Sequence, residues 1–364
     1  MRALRKSVFW LHLAVGLLAG AVVLVMSVTG VLMAFERQIT EAADGFHLAG
    51  TAALGPEELL EKLRTRGTSP TAIIFERDPS KPVTYQLGKD KTAFADPSTG
   101  ESLGSGNTAV RGFFKSILTW HRWLGREGAA QATGKAVIGI GNLLFLFLVV
   151  SGIFLWFPKK WTRPRLKAVI LFQKRLKGRG RDWNLHNVFG FWAAIPLLVI
   201  VATGTVISHP WANDLVFRLT GDTPPPRGEK RKPQPAAPLP ASLAGLDAAL
   251  SVVKNTNPDW QSIQLQLPFE KSATFAVADS HRGRPDKRRQ LTVDLTTSTV
   301  VKSEGFDTLG PGRQARTWIR WIHTGEAGGI PGQTIAGLAA AASAVLVWTG
   351  FALSWRRFFT RRTA

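Results

Sequence analysis

Four histidines stand at the ends of four apolar stretches, and imidazole is a side chain that can hold haem iron. His12 opens a register that continues with Gly16, Thr29 and Gly30. His186 opens the same register with Gly190, Thr203 and Gly204. The offset is constant at 174 residues, 186 against 12 and 204 against 30. His121 and His323 stand just ahead of the two remaining stretches. Neutral imidazole is a good axial ligand for haem iron. A twofold relation between the halves of the chain would set His12 with His186, and His121 with His323, on opposite faces of one porphyrin each. The expectation is a metal site at each pair and two non-covalently held haem b groups.

The glycines suit flat ligands. Gly16 and Gly190 follow their histidines by four residues and share their helix face, where the missing side chain leaves room for a macrocycle. Thr29 with Gly30, and Thr203 with Gly204, lie about 26 Å further along the helix axis at 1.5 Å per residue, at the depth of the second histidine pair. Ser151 with Gly152, and Thr349 with Gly350, fall at the depth of the first. The competing reading is close helix packing, which the Gly16–Gly20 spacing also fits; a lone interfacial histidine is more often an anchor than a ligand. Four in two symmetric pairs favour ligation. His209 is held in reserve as a ligand, because it closes the third stretch but has no counterpart in the first half. His47 and His281 fall in soluble segments. Arg316 and Arg320 share a helical face with His323 and suit the propionates of the outer haem; interfacial anchoring explains them equally well.

The elements that must position these residues are membrane helices. Apolar runs at about 7–35, 134–157, 187–208 and 332–355 each reach the roughly 20 residues needed to span a bilayer, and their interiors carry no charge. The first run is too long for the apolar region of a secretory signal and is read as a retained helix. Segment 158–185 holds Lys159, Lys160, Arg163, Arg165, Lys167, Lys174, Arg175, Lys177, Arg179 and Arg181 against Asp182 alone, and the tail adds Arg356, Arg357, Arg361 and Arg362. Positive charge marks the cytoplasmic side. Both termini and the basic loop are therefore expected inside, with the two long segments outside. The net charge of +21 reflects this topology, so nucleic acid is not an expected partner; the lipid bilayer is. The chain has no cysteine, which excludes disulfides, cysteine-ligated iron–sulfur clusters and covalent haem attachment.

The predicted fold class is membrane α-helical: four transmembrane helices from an internal duplication, with two small periplasmic α+β modules. The expected order is helix 1 (1–35), module 1 ending in the His121 segment (36–132), helix 2 (133–157), the basic cytoplasmic loop (158–185), helix 3 (186–208), a Pro-rich linker with module 2 ending in the His323 segment (209–330), and helix 4 with the tail (331–364). Module 1 has a helix near 56–63 and strand-like runs at 71–75, 83–87 and 92–95. Module 2 has a helix near 246–253 and strand-like runs at 262–267, 273–278 and 290–295. The linker over 223–240 should be extended or disordered. The basic loop over 281–289 reads as a hairpin tip that is either solvated or open to an anion.

These residues resemble the PepSY-associated transmembrane family, which includes ferric-siderophore reductases and related iron-regulated membrane proteins. The resemblance rests on Leu11 and His12 with Thr29 and Gly30, on His121 through Gly125, on Asn184 through His186 with Thr203 and Gly204, and on His323 through Gly329 with Thr349 and Gly350. It covers nearly the whole chain and implies PepSY-like outer modules. It further implies two b-type haems in the bacterial inner membrane and electron transfer to a periplasmic acceptor, a ferric siderophore or other chelated Fe(III). The cytoplasmic parts are too short for a flavin or nicotinamide domain, so the donor would be membrane quinol or a separate cytoplasmic reductase. A cofactor-free membrane protein that binds peptides or modulates a protease or sensor is the alternative. A transporter is disfavoured, since no ionisable residues line the helix interiors.

Overall fold

The computed structural model describes residues 2–49, 53–88, 91–157, 162–226 and 238–359. Of the groups singled out above, Lys159, Lys160, Arg361, Arg362 and the 227–237 part of the linker lie outside the described residues. In chain order the helices are α1 (Arg2–Met33), α2 (Glu36–Asp44), α3 (Pro56–Thr65), α4 (Thr108–Trp123), α5 (Gln131–Trp156), α6 (Arg163–Ile170), α7 (Gly178–Ser208), α8 (Pro210–Leu219), α9 (Leu246–Thr256), α10 (Pro311–His323) and α11 (Gly329–Phe358). The strands are β1 (Ala72–Glu76), β2 (Val83–Gln86), β3 (Thr92–Ala95), β4 (Ser102–Gly104), β5 (Ser262–Gln266), β6 (Ser272–Ala278), β7 (Arg288–Asp294) and β8 (Thr299–Gly305). The chain divides into two compact units, the first made of 1–36, 112–219 and 318–364, the second of 37–111 and 220–317.

The first unit is a bundle. Four of its helical stretches are long and apolar enough to cross a membrane: Arg2–Met33, Gly128–Trp156, Gly178–Ser208 and Glu326–Phe358. They pack as a ring in which α1 touches α5 and α11, and α7 touches the same two. Helices α1 and α7 therefore face each other across one diagonal, α5 and α11 across the other. Small and polar side chains seal the packing at mid-bundle. Ser27 Oγ donates to Ser343 Oγ at 2.8 Å, and Asn142 Nδ2 donates to Thr205 Oγ1 at 2.7 Å. In an apolar surround such hydrogen bonds fix which helix meets which.

One feature departs from the sequence expectation. Helix α7 begins at Gly178, so the second half of the basic loop is helical and His186 lies two turns inside the helix. His121 and His323 each lie at the end of a separate amphipathic helix, α4 and α10; for His323 this agrees with the helical face it shares with Arg316 and Arg320. A tight turn then redirects the chain into the next long helix. At Gly325 this turn requires φ of +76°, and an added Cβ would meet the Gly332 carbonyl, so only glycine fits.

The second unit is one domain. Its eight strands form a single antiparallel sheet in the order β4-β3-β2-β1-β5-β6-β7-β8. The two α+β segments join at the middle, where β1 pairs with β5 and Ile74 stands opposite Gln264. Alternation decides the faces: Ile73 and Phe75, then Ile263 and Leu265, turn inward to one buried cluster with Phe275, and Leu59, Leu60 and Leu63 of α3 and Leu246, Leu250 and Val253 of α9 cover it. The helices cap each other reciprocally. The Glu57 amide donates to Asp247 Oδ1 at 3.0 Å and the Asp247 amide to Glu57 Oε1 at 3.2 Å, satisfying first-turn N–H groups with carboxylates at the favourable end of each helix dipole. The corresponding hairpin turns match as well: Asp96 accepts from the Ser98 amide at 2.8 Å and Asp294 from the Thr296 amide at 2.8 Å.

Candidate functional site

The bundle brings the four singled-out histidines together in two pairs. His12 of α1 and His186 of α7 line one cavity of about 930 Å³ and lie close enough to interact electrostatically. His121 of α4 and His323 of α10 interact in the same way. Around the imidazoles the cavity wall is mostly apolar and aromatic, with Phe145, Leu148, Trp156, Phe191 and Leu346 on it. Gly16 and Gly190 both line it, the position a flat ligand between two imidazoles would need kept open. The wall combines two facing imidazoles, apolar surface and glycine clearance, which fits a porphyrin.

Each imidazole is held by a hydroxyl of a neighbouring helix. His12 Nδ1 lies 2.8 Å from Ser151 Oγ, His186 Nδ1 2.9 Å from Thr349 Oγ1, His121 Nδ1 2.8 Å from Thr29 Oγ1, and His323 Nδ1 3.2 Å from Thr203 Oγ1. The direction of these bonds follows from proton counting. A threonine hydroxyl has one proton, and each threonine has a helix carbonyl to take it: Val25 at 2.6 Å from Thr29, Val199 at 2.7 Å from Thr203, Val345 at 2.8 Å from Thr349. The hydroxyl then has only lone pairs for the imidazole, so Nδ1 carries the hydrogen and donates. Backbone acceptors agree with this. The carbonyl of Ile200 lies 2.9 Å from His323 Nδ1, and those of Met26 and Leu346 accept from His121 and His186. Ser151 lies nearer the His12 ring, at 2.8 Å, than its own helix carbonyl at Leu148, at 3.3 Å, so the proton count assigns the three threonine-held rings.

With Nδ1 protonated, a neutral imidazole presents its lone pair at Nε2, the form a metal ligand requires. Metal-ligating histidines are oriented by hydrogen bonds from their other ring nitrogen in the same manner. Pairs rather than clusters are the rule here: among the described residues no group of three or more His, Cys, Asp or Glu could hold a bare metal ion. The arrangement therefore suits a metal that brings its remaining ligands with it, as haem iron does.

The glycine of each Ser/Thr-Gly pair lies beside the ring its neighbour holds. A Cβ on Gly152 would stand 3.5 Å from His12 Cε1, on Gly350 3.8 Å from His186 Cε1, on Gly30 3.9 Å from His121 Cε1, and on Gly204 3.2 Å from His323 Cε1. Gly204 thus makes room for an imidazole, a closer and more specific duty than clearance for a macrocycle, whereas a Cβ at Gly30 would reach only ordinary contact with His121. The hydroxyl role of Thr29, Ser151, Thr203 and Thr349 is what sequence reasoning missed. Its signal was present, because each Ser/Thr-Gly pair falls at the depth of a histidine from another helix.

His209 is placed differently. Its Nε2 donates to the Gly139 carbonyl at 3.1 Å, so it spends on helix packing the nitrogen that the other four leave open. Arg320 stacks over Trp321 at 5.1 Å and Arg122 over Trp123 at 5.1 Å, which draws both guanidinium groups along the aromatic belt of the bundle. Arg316 shares α10 with Arg320. His281 accepts the Gly283 amide in the β6–β7 hairpin at 3.3 Å.

The family model of the PepSY-associated TM region matches residues 9–357. Together with the four long apolar helices, the match makes the chain a multi-pass membrane protein. Comparison with curated proteins finds no match.

Proposed function

This chain belongs to the PepSY-associated TM family, and from that premise we propose that it is a bacterial inner-membrane, di-haem b electron-transfer protein that reduces a periplasmic acceptor, chelated ferric iron such as a ferric siderophore. In this reading the bundle and the eight-stranded domain each arose by internal duplication, the domain is periplasmic and PepSY-like, and both termini are cytoplasmic. The observation that carries the reading is the geometry: four imidazoles in two pairs, each with Nδ1 within hydrogen-bond reach of a hydroxyl on a neighbouring helix. His12 with His186 would hold the inner haem and His121 with His323 the outer. Bound there, the two groups would supply one-electron transfer across the membrane, from quinol or a cytoplasmic reductase to the acceptor outside.

The protein's own contribution is positional. Ser151 and Thr349, then Thr29 and Thr203, set the plane of each imidazole, and their hydrogen bonds keep the ligand basic. Two histidines at each site leave no coordination position for oxygen. Purified protein tests this directly. A Soret band and reduced-haem bands that are reoxidised by a ferric chelate are expected; colourless protein from haem-replete cells would sink the proposal.

A further inference from the structure

The cavity of His12 and His186 has a cationic mouth. Arg2, Arg5, Lys6, Arg179 and Arg357 line it, and among the described residues no aspartate or glutamate does. Positive charge at this end of a bundle follows from topology alone, but topology does not decide which way each side chain faces. The structure sorts them. Arg181 and Arg356 turn to the buried carboxylate of Asp182, at 3.1 Å each, whereas Arg179 and Arg357 line the cavity. Arg357 is laid over the rings of Phe9 and Trp10 at 5.0 and 4.7 Å, and Arg5 is braced by a bond to the Leu155 carbonyl.

Two of these cations extend the repeated register. Arg5 precedes His12 by seven residues and Arg179 precedes His186 by seven. Seven residues are close to two helical turns, so each arginine shares the face of its histidine about 10.5 Å along the axis at 1.5 Å per residue. The cavity thus presents two histidines on facing helices and, two turns nearer the mouth, two arginines in the same relation. A planar ligand centred between the histidines meets paired cations at one edge only.

Resting on the di-haem reading, the geometry points to Arg5 and Arg179 as the paired site for the two carboxylates of the inner porphyrin, with Arg357 beside them. The ring is thereby oriented with its acidic edge at the mouth and its apolar edge toward Gly20 and Ser343, at the deep end of the cavity. Guanidinium is suited to this, since it offers several donors in a plane to a carboxylate. Hydrogen bonds to charged groups are among the stronger ones, so loss of both carboxylate charges should weaken binding by at least about tenfold.

The test titrates the full chain, purified from haem-starved cells, with iron protoporphyrin IX and with its uncharged dimethyl ester. The His121→Ala variant is used so that the Soret band reports the His12–His186 site alone. The ester is expected to bind at least about tenfold more weakly than the diacid. Arg5→Gln with Arg179→Gln should bring the diacid down to the ester's affinity, and Arg5→Lys with Arg179→Lys should keep most of the preference. Equal affinity for the two rings would overturn the assignment while leaving haem binding intact; a mouth built for anionic lipid would give that result. A preference that survives in the glutamine variant would overturn it too. Uptake of neither ring would overturn the di-haem reading itself.

Discussion

His186 Nδ1 donates to Thr349 Oγ1 at 2.9 Å, and Thr349 passes its own proton to the Val345 carbonyl at 2.8 Å. The ring is locked by a two-bond chain that begins on one helix and ends on another. Thr349→Val keeps the shape and removes the acceptor. By comparison with other metal sites, loss of such an orienting partner should weaken cofactor binding about 10–100-fold, while Thr349→Ser should restore most of it. Haem content and the spin-resonance signature of the ferric protein check this. An unchanged signal in the valine variant would show that the hydroxyl only packs.

The two pairs should be separable. His12→Ala or His186→Ala should remove one haem, and His121→Ala or His323→Ala the other, each leaving about half of the reduced-minus-oxidised absorbance, as two independent sites require. Loss of all absorbance from any one change would contradict independent sites. The same changes should leave thermal unfolding of the β-sheet domain in place, since none of these side chains belongs to its core.

Gly204 and Gly30 should answer differently to the same substitution. A methyl on Gly204 would meet Asn142 Oδ1 at 3.0 Å and His323 Cε1 at 3.2 Å, whereas on Gly30 its nearest neighbours stand at 3.6 and 3.9 Å. Gly204→Ala must push His323 or Asn142 aside, and a shifted spectrum of the His121–His323 site is expected. Gly30→Ala should be spectrally silent. Equal behaviour of the two would mean that the His323 ring has slack.

In the sheet domain the reciprocal caps give a stability prediction. Asp247→Ala leaves the Glu57 amide without its acceptor and should cost about 1 kcal/mol, the usual worth of a lost N-terminal cap. Chemical denaturation followed by tryptophan emission measures it. Glu57→Ala should cost a similar amount, and the double change less than the sum, because the two caps share one contact.

Asp44 supplies a pH dependence. Burial opposes its ionisation, yet hydrogen bonds from Arg111 and the Asn107 amide, with the charge of Arg111, hold its carboxyl below the ordinary value. A depressed carboxylate contributes stability above its unfolded pKa and loses it as pH falls through the folded one. The Arg111–Asp44 contact, with Arg111 also over Phe94 at 5.1 Å, should therefore persist at neutral pH and release in acid, below about pH 4. Limited proteolysis at the 44–46 segment across that range tests it. Asp44→Asn should be cleaved at neutral pH already.

Much of this was legible in the amino-acid order because it has a local period. The four spans announce themselves by length and hydropathy, and β1, β2, β3, β5, β6 and β7 as strand-like runs. The histidine pairs were legible through a register repeated along the chain. What escaped has no local signal. Pairing of Ile74 with Gln264 joins residues 190 apart, and nothing near either one encodes it. Strand β8 is exposed along nearly its whole length, so no apolar face marks it. The hydroxyl partners of the histidines lie on other helices: α1 against α5 and α7 against α11 bring Ser151 and Thr349 to their rings, and α4 against α1 and α10 against α7 bring Thr29 and Thr203 to theirs.

The central β1–β5 seam has a consequence for how the chain is made. When residue 220 leaves the ribosome, β1 has its β2 neighbour on one side and a bare row of amide and carbonyl groups on the other. Its remaining partner has yet to be synthesised, and two spans, α5 and α7, separate the two strands in the chain. Until β5 arrives the half-sheet is an unprotected edge of the kind that recruits foreign strands. A chain ended before Ser262 should be cleared by quality control rather than accumulate as a stable half, even though its first three spans are intact. Supplying the second half from a separate message should rescue it, because the seam needs only the two edges to meet.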